Sequence, residues 1–181
     1  SNRAETPPAI RTRQIEAGFR YAVSPQLGLT VGAFSITKPY FNLDSSLRYR
    51  QLGTLANRGI EFSLTGRLVR SVTLVAGMLL LDPRISGEAV DRGDIGKRPV
   101  GQVRRRIAAN LEWRSGGGTG PFSFDLAIES QSSRMANAAN SFSAPPRTTL
   151  DIGARYRFEF GKAKFVLRPQ VRNLFNNYGW Q

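Results

Sequence analysis

The chain has 181 residues, with 26 Lys+Arg against 13 Asp+Glu, a formal charge of +13, and neither Cys nor His. That composition excludes disulfide scaffolds, Cys/His metal centres, thiol nucleophiles and Ser-His-Asp triads. No apolar run approaches the roughly 18 residues of a membrane helix, the longest being Val72 to Leu81.

Strict two-residue alternation runs along the chain. The first predicted strand, Gln14 to Val23, sets Ile15, Ala17, Phe19, Tyr21 and Val23 against Gln14, Glu16, Gly18 and Arg20. Leu27 to Lys38 follows with a phase slip near Ala33-Phe34 that predicts a bulge. Gly59 to Thr65 sets Ile60, Phe62 and Leu64 against Glu61, Ser63 and Thr65, and Val72 to Leu81 alternates less cleanly. Arg106 to Trp113, Phe122 to Glu129 and Thr149 to Phe158 repeat the regular pattern. The last strand, Ala163 to Asn173, contains Pro169, which removes a ladder donor and predicts a bulge or an edge position. Eight strands result, with no helix of 3.6-residue period.

The connections alternate short and long. Ser24-Pro25-Gln26, Val69-Arg70-Ser71 and Glu159 to Lys162 are tight turns, and Ser115 to Gly120 is a small flexible one. Pro39 to Asn57, Pro83 to Val103 and Ser132 to Thr148 are expected as long polar loops. Strands of one direction begin near Arg11, Asn57, Arg104 and Arg147, spaced 46, 47 and 43 residues apart. A propeller of that period would fit four strands into each repeat rather than two. Antiparallel meanders with short turns on one rim and long loops on the other describe an outer-membrane barrel.

Either a soluble sheet or a membrane barrel produces such alternation, so three further features decide between them. Strands of about 9–12 residues suit a tilted bilayer crossing better than the usual 5–6. Gly18, Gly59, Gly77 and Gly153 fall on the polar face, where glycine makes room on a crowded lumen wall. The polar face is also charge-balanced. Its acids are Glu16, Glu61, Glu112, Asp125, Glu129 and Asp151, and its bases Arg20, Arg106, Arg155, Arg157, Arg168 and Arg172. The +13 excess therefore lies in loops, turns and termini. Tyr21, Trp113, Tyr156 and Phe158 sit at the short-turn ends, where an aromatic girdle belongs. The expected fold is all-β, an antiparallel up-and-down transmembrane barrel segment.

No motif carries catalysis. Gly93 to Pro99 lacks phosphate-loop spacing, and no helix follows Gly116 to Gly120 to make a dinucleotide fingerprint. Asp125 and Glu129 would stand roughly 13 Å apart, too far for a glycosidase pair. Arg104-Arg105-Arg106 splits between two strand faces and makes a poor nucleic-acid stripe, so no nucleic-acid partner is expected. The candidate binding residues are loop aromatics and arginines: Tyr40, Phe41, Arg48, Tyr49, Arg134, Tyr178 and Trp180. Aromatic rings and guanidinium groups together suit flat, anionic ligands. Glu16, Arg20, Glu61, Arg106, Glu112, Asp125, Glu129, Asp151 and Arg155 are expected to face the lumen.

Four segments resemble the barrel of TonB-dependent outer-membrane receptors of the siderophore type. They are Pro8 to Tyr21, Asn57 to Gly66 with its Arg-Gly-Ile-Glu, Leu81-Asp82 followed by Ile95 to Val100, and Val171 to Asn176 with its Asn-Leu-Phe-Asn. The resemblance implies eight strands of a 22-stranded barrel in the outer membrane of a Gram-negative bacterium. It implies lipid outside the wall, a transported ferric siderophore or similar chelate, and no covalent cofactor. The family's plug, TonB box and final strand have no counterpart in residues 1–181, so the chain reads as a partial barrel domain coupled to TonB only through another part. Two alternatives share some of the pattern: a self-standing eight-stranded outer-membrane barrel, and a soluble basic nucleic-acid-binding β-domain.

Overall fold

The structure is a computed structural model that describes residues 9–44 and 46–178. In chain order it forms β1 (Arg13–Ser24), β2 (Leu27–Leu43), β3 (Tyr49–Val69), β4 (Val72–Ser86), α1 (Glu88–Asp91), β5 (Arg105–Arg114), α2 (Ser115–Gly118) and β6 (Phe122–Gln131). A two-residue ribbon, β7 (Arg134–Met135) and β8 (Ser143–Ala144), precedes β9 (Arg147–Phe160), β10 (Ala163–Leu167) and β11 (Gln170–Val171). The main sheet runs β1-β2-β3-β4-β5-β6-β9-β10, with β11 also on β9, and every pairing in it is antiparallel. Its outermost strands do not pair with each other, so the sheet is open. These residues do not close on themselves as an eight-stranded barrel.

The register fixes two faces. Ile15, Phe19 and Tyr21 of β1 pair with Ser35, Val31 and Leu29 of β2, and Leu29, Val31 and Ala33 pair with Leu64, Phe62 and Ile60 of β3. The apolar face then continues through Met78 and Ile107 to Leu111, Leu126 and Ile152. At its short-turn end Trp113 packs at a tilt against Phe124 (ring centroids 5.8 Å apart, 32° between planes). Phe122, Tyr156, Phe158 and Phe165 form a continuous stack at 4.3, 5.4 and 5.4 Å. The opposite face carries Glu16, Glu61, Arg106, Glu112, Asp125, Glu129, Asp151 and Arg155, as the pairings Glu112↔Asp125 and Ala127↔Asp151 place them.

Several local expectations change. The predicted loop Pro39 to Asn57 is mostly hairpin: β2 runs to Leu43, β3 starts at Tyr49, and only a short tip joins them. Polar side chains hid strand that continues beyond the apolar zone. The phase slip near Ala33-Phe34 is not a bulge, because pairing there is continuous. Phe34 instead lies on the charged face opposite Gly59, where a Cβ would come within 2.5 Å of its ring. The ring covers a strand glycine, so hydropathy inverts while geometry does not. The shifts in pairing fall at Ala22/Ser24, Tyr40/Phe41 and Arg67/Val69. Gly18 makes room as expected, since a Cβ there would meet the Val31 carbonyl at 2.7 Å, whereas Gly77 and Gly153 have space to spare. Pro169 interrupts the last strand at the edge, and the register on β9 is the same on either side of it.

Candidate ligand-binding rim

At the long-loop end the charged face becomes apolar. Leu55 on β3 and Ile85 on β4 are directly paired and only 3% and 4% exposed. The shift at Tyr40/Phe41 leaves Leu52 without a partner on β2, and it turns into the same cluster. Ala89 of α1 and Ile95 complete the cluster, with Tyr40, Val90 and Ala138 packed against it. The segment between β4 and β5 therefore folds back over the sheet. It is pinned there by the Ile85 N–H, which donates to the Lys97 carbonyl at 2.8 Å.

A second contact joins this segment to the one between β6 and β9. The Asn140 side chain accepts the Arg98 N–H and donates to the Arg98 carbonyl, both at 2.8 Å, as a neighbouring strand would. The Gly96 N–H donates to the Ala138 carbonyl at 2.7 Å, and the Gly101 N–H to the Met135 carbonyl at 2.9 Å. Asn140 lies so close to Gly96 that any Cβ there would collide with it. Asn140 itself sits at φ 58, a left-handed conformation that Asn accepts more readily than most residues.

The candidate residues separate accordingly. Tyr40 faces the cluster, and its hydroxyl accepts a hydrogen bond from the Asn42 amide at 3.0 Å. Phe41 and Tyr49 stack on each other (5.7 Å, 22°) and by register continue the apolar face instead. Arg48 follows the hairpin tip, which is organised by Asp44. That carboxylate accepts the Ser46 and Arg48 N–H groups at 2.8 and 3.0 Å and pairs with Arg50 at 2.8 Å. The Arg48 N–H bond above all, followed by the other donors, holds the Asp44 carboxyl below its ordinary value of 3.8. Arg134 lies on β7, half-buried, and Tyr178 is 80% exposed beyond β11. Trp180 lies outside the described residues, as does the Pro8 that opens the first resembling segment. Tyr40 and the Phe41/Tyr49 pair thus stand on opposite sides of one hairpin.

Below the rim the charged face is partly paired. Arg106 bonds Glu129 across β5 and β6 at 2.6 Å, and Arg114 reaches Glu112 at 3.4 Å. Asp151 accepts the Asn173 N–H at 2.8 Å. That bond begins a clasp: Asn173 Oδ1 accepts the Asn177 N–H at 3.0 Å, and the Asn177 amide donates to the Thr148 carbonyl at 3.1 Å. The Asn-Leu-Phe-Asn segment is therefore a turn locked onto β9, with Asn173 and Asn176 both at φ 50. Ser123, fully buried, pairs in register with Arg114 and Arg155, and its hydroxyl and both arginine Nε atoms lack partners among the described residues. Sequence reading missed Asn140 and Ser123, because neither position stands out until partners distant in the chain are known.

A sequence model described as TonB dependent receptor-like, beta-barrel matches residues 6–174. The chain belongs to this family. The TonB-dependent receptor-like barrel accounts for the open sheet, since the chain spans only about a quarter of the receptors it matches. The ferric preacinetobactin receptor BauA from Acinetobacter baumannii is 30% identical at a TM-score of 0.78, over 93% of this chain and 26% of that one. The siderophore receptor PiuA from the same species (16%, 0.75, over 93% and 26%) shares the fold. So does the ferric yersiniabactin uptake receptor FyuA from Yersinia pestis (14%, 0.73, over 92% and 25%). A search among curated proteins returned no match. TonB-dependent receptors of this type are barrels of the Gram-negative outer membrane, and this chain is a segment of such a barrel wall.

Proposed function

We propose that this chain forms part of the wall and outer rim of a receptor for TonB-coupled uptake of ferric siderophores or similar chelates. The observation that carries the reading is the family match over residues 6–174, joined to the likeness with a ferric preacinetobactin receptor. In this reading the apolar face meets lipid and the charged face lines the lumen. Glu16, Arg20, Glu61, Arg106, Glu112, Asp125, Glu129, Asp151 and Arg155 then border the path through the barrel. TonB engages another part of the receptor.

The long-loop end would supply the ligand contacts. Arg48, Arg134 and the aromatic side chains Tyr40, Phe41, Tyr49, Tyr178 and Trp180 offer cationic and π surfaces to an anionic chelate. A ferric centre arrives with its chelator, so the protein needs to recognise the shell and not the metal. No catalytic step is assigned to any residue.

The test is ferric-chelate binding by the receptor that carries this segment, with a panel of iron-loaded siderophores. Replacing Tyr40, Arg48, Arg134 and Tyr178 together by Ala is expected to weaken binding of the cognate chelate at least tenfold while leaving the barrel folded. Unchanged binding and uptake would remove the rim from the ligand site.

A further inference from the structure

Three buried side-chain atoms without a partner among the described residues fall in one cross-strand row: Ser123 Oγ, Arg114 Nε and Arg155 Nε. β6 sets Ser123 between Arg114 of β5 and Arg155 of β9, so all three share the charged face. Ser123 is 0% exposed. Its in-register neighbours on both sides are arginines, about 5 Å away at Cβ. The row lies close to the short-turn end. Arg157 stands one row nearer that end on the same face, its N–H donating to the Pro121 carbonyl at 3.0 Å. The register on β9 sets Arg168 opposite Arg155.

The acids nearby do not balance these four arginines. Glu112 and Asp125 form the next row toward the centre of the sheet. Glu112 is engaged by Arg114 at 3.4 Å. Asp125 lies over Gly153, where an added Cβ would meet its Oδ2 at 3.4 Å. Among the described residues no acid pairs with Arg155, Arg157 or Arg168. A guanidinium group has donors only and keeps its charge at any working pH. A buried donor left unpaired loses more than an ordinary bond would bring, and two guanidinium groups side by side repel.

We propose that Arg114, Ser123 and Arg155 form a binding site for one oxyanion, a carboxylate or phosphate group, near the short-turn end of the charged face. The inference rests on the barrel reading above, in which this face lines the lumen. An oxyanion answers both demands of the row. It accepts from the two guanidinium groups and the serine hydroxyl, and it supplies the missing negative charge. Arg155 brings the unneutralised cation, Arg114 is steadied by Glu112, and the serine hydroxyl donates between them. The three orphan atoms are buried, so the site suits a single small group and not a whole ferric chelate. The group comes either from a dissolved anion or from an acidic side chain in another part of the receptor.

The experiment uses the detergent-solubilised receptor that carries this segment, with radiolabelled inorganic phosphate as the first probe. For a dissolved anion, equilibrium dialysis should show saturable binding of one phosphate that equimolar chloride does not displace. Arg155→Gln should weaken it about tenfold and Ser123→Ala about threefold. For an acidic side chain, phosphate should not bind, and a second probe applies. Carbodiimide treatment of Arg155→Lys should then couple the new amine to a carboxylate outside residues 1–181, identified by peptide mass spectrometry. Folding is checked by heat-modifiable gel migration, and Ser123→Ala decides the phosphate arm if Arg155→Gln does not fold. Phosphate binding that neither variant changes would overturn the proposal. So would coupling to Asp125 or Glu112 alone, or the failure of both binding and coupling. Ferric-chelate binding by the unaltered receptor is measured on the same samples. Its absence beside a positive oxyanion result counts against the receptor reading alone.

Discussion

At the short-turn end six aromatic rings stand in one tilted pair and one four-ring stack across β5, β6, β9 and β10. At the long-loop end, five buried aliphatic side chains and one asparagine hold three connections together. The first arrangement follows from register: once the strands pair, rings at alternate positions must meet. The second is assembled from contacts between residues far apart in the chain, such as the 42 positions separating Arg98 from Asn140. The first end should therefore lose stability in small increments, and the second cooperatively.

The largest expected effect breaks the long-loop end. Ile85→Ala should cost about 2–5 kcal/mol, because it opens a cavity in a small cluster. Limited proteolysis should then cut between residues 87 and 104 while the aromatic end stays intact. Loss of both ends together would show that they are not independent.

A smaller effect is expected from Asn140→Ala, which removes two bonds to Arg98 and puts an alanine at φ 58. About 1–2 kcal/mol is expected in the local opening of the rim by hydrogen exchange. Asn140→Gly separates the causes, since it keeps the backbone conformation and still loses the clasp. If Gly matched the native protein, the clasp would contribute nothing.

The aromatic end gives the next value. A double-mutant cycle of Phe122→Ala and Tyr156→Ala should yield a coupling of about 0.5–1.5 kcal/mol for their 4.3 Å stack. A coupling near zero would reduce the stacks to simple area burial.

The smallest effect concerns pH at the hairpin tip. Folding lowers the Asp44 pKa, so its contribution is present above the ordinary carboxylate value of 3.8 and is lost as pH falls through the lower folded value. Amide exchange at Ser46 and Arg48 should accelerate only in that acidic range, and Asp44→Asn should remove the transition.

The wall was legible because a membrane-spanning strand with one wet face leaves little freedom at each position. Ile15 to Val23, Ile107 to Trp113 and Leu150 to Phe158 announce both their faces and their directions. Beyond the apolar zone, legibility fails. Tyr40 to Leu43 and Tyr49 to Ala56 are as much strand as their neighbours, yet polar residues made them read as loop. Phe34 broke the pattern for a reason carried by Gly59, one strand away. The rim aromatics were found by type, but not the split that puts Tyr40 on one side of the hairpin and the Phe41/Tyr49 stack on the other. That split depends on a pairing shift no local signal reveals.

Pro169 has a directional consequence. Its carbonyl accepts the Ala154 N–H at 3.0 Å, so this residue points its backbone toward β9. In an antiparallel ladder the reciprocal bond would need the N–H that proline lacks. The missing donor is thus spent inward, on a pairing already secured by β10 and β11 on either side. The flanking Arg168 and Gln170 turn their N–H and C=O groups outward. The β10/β11 margin of the sheet consequently loses no outward-facing donor to the proline.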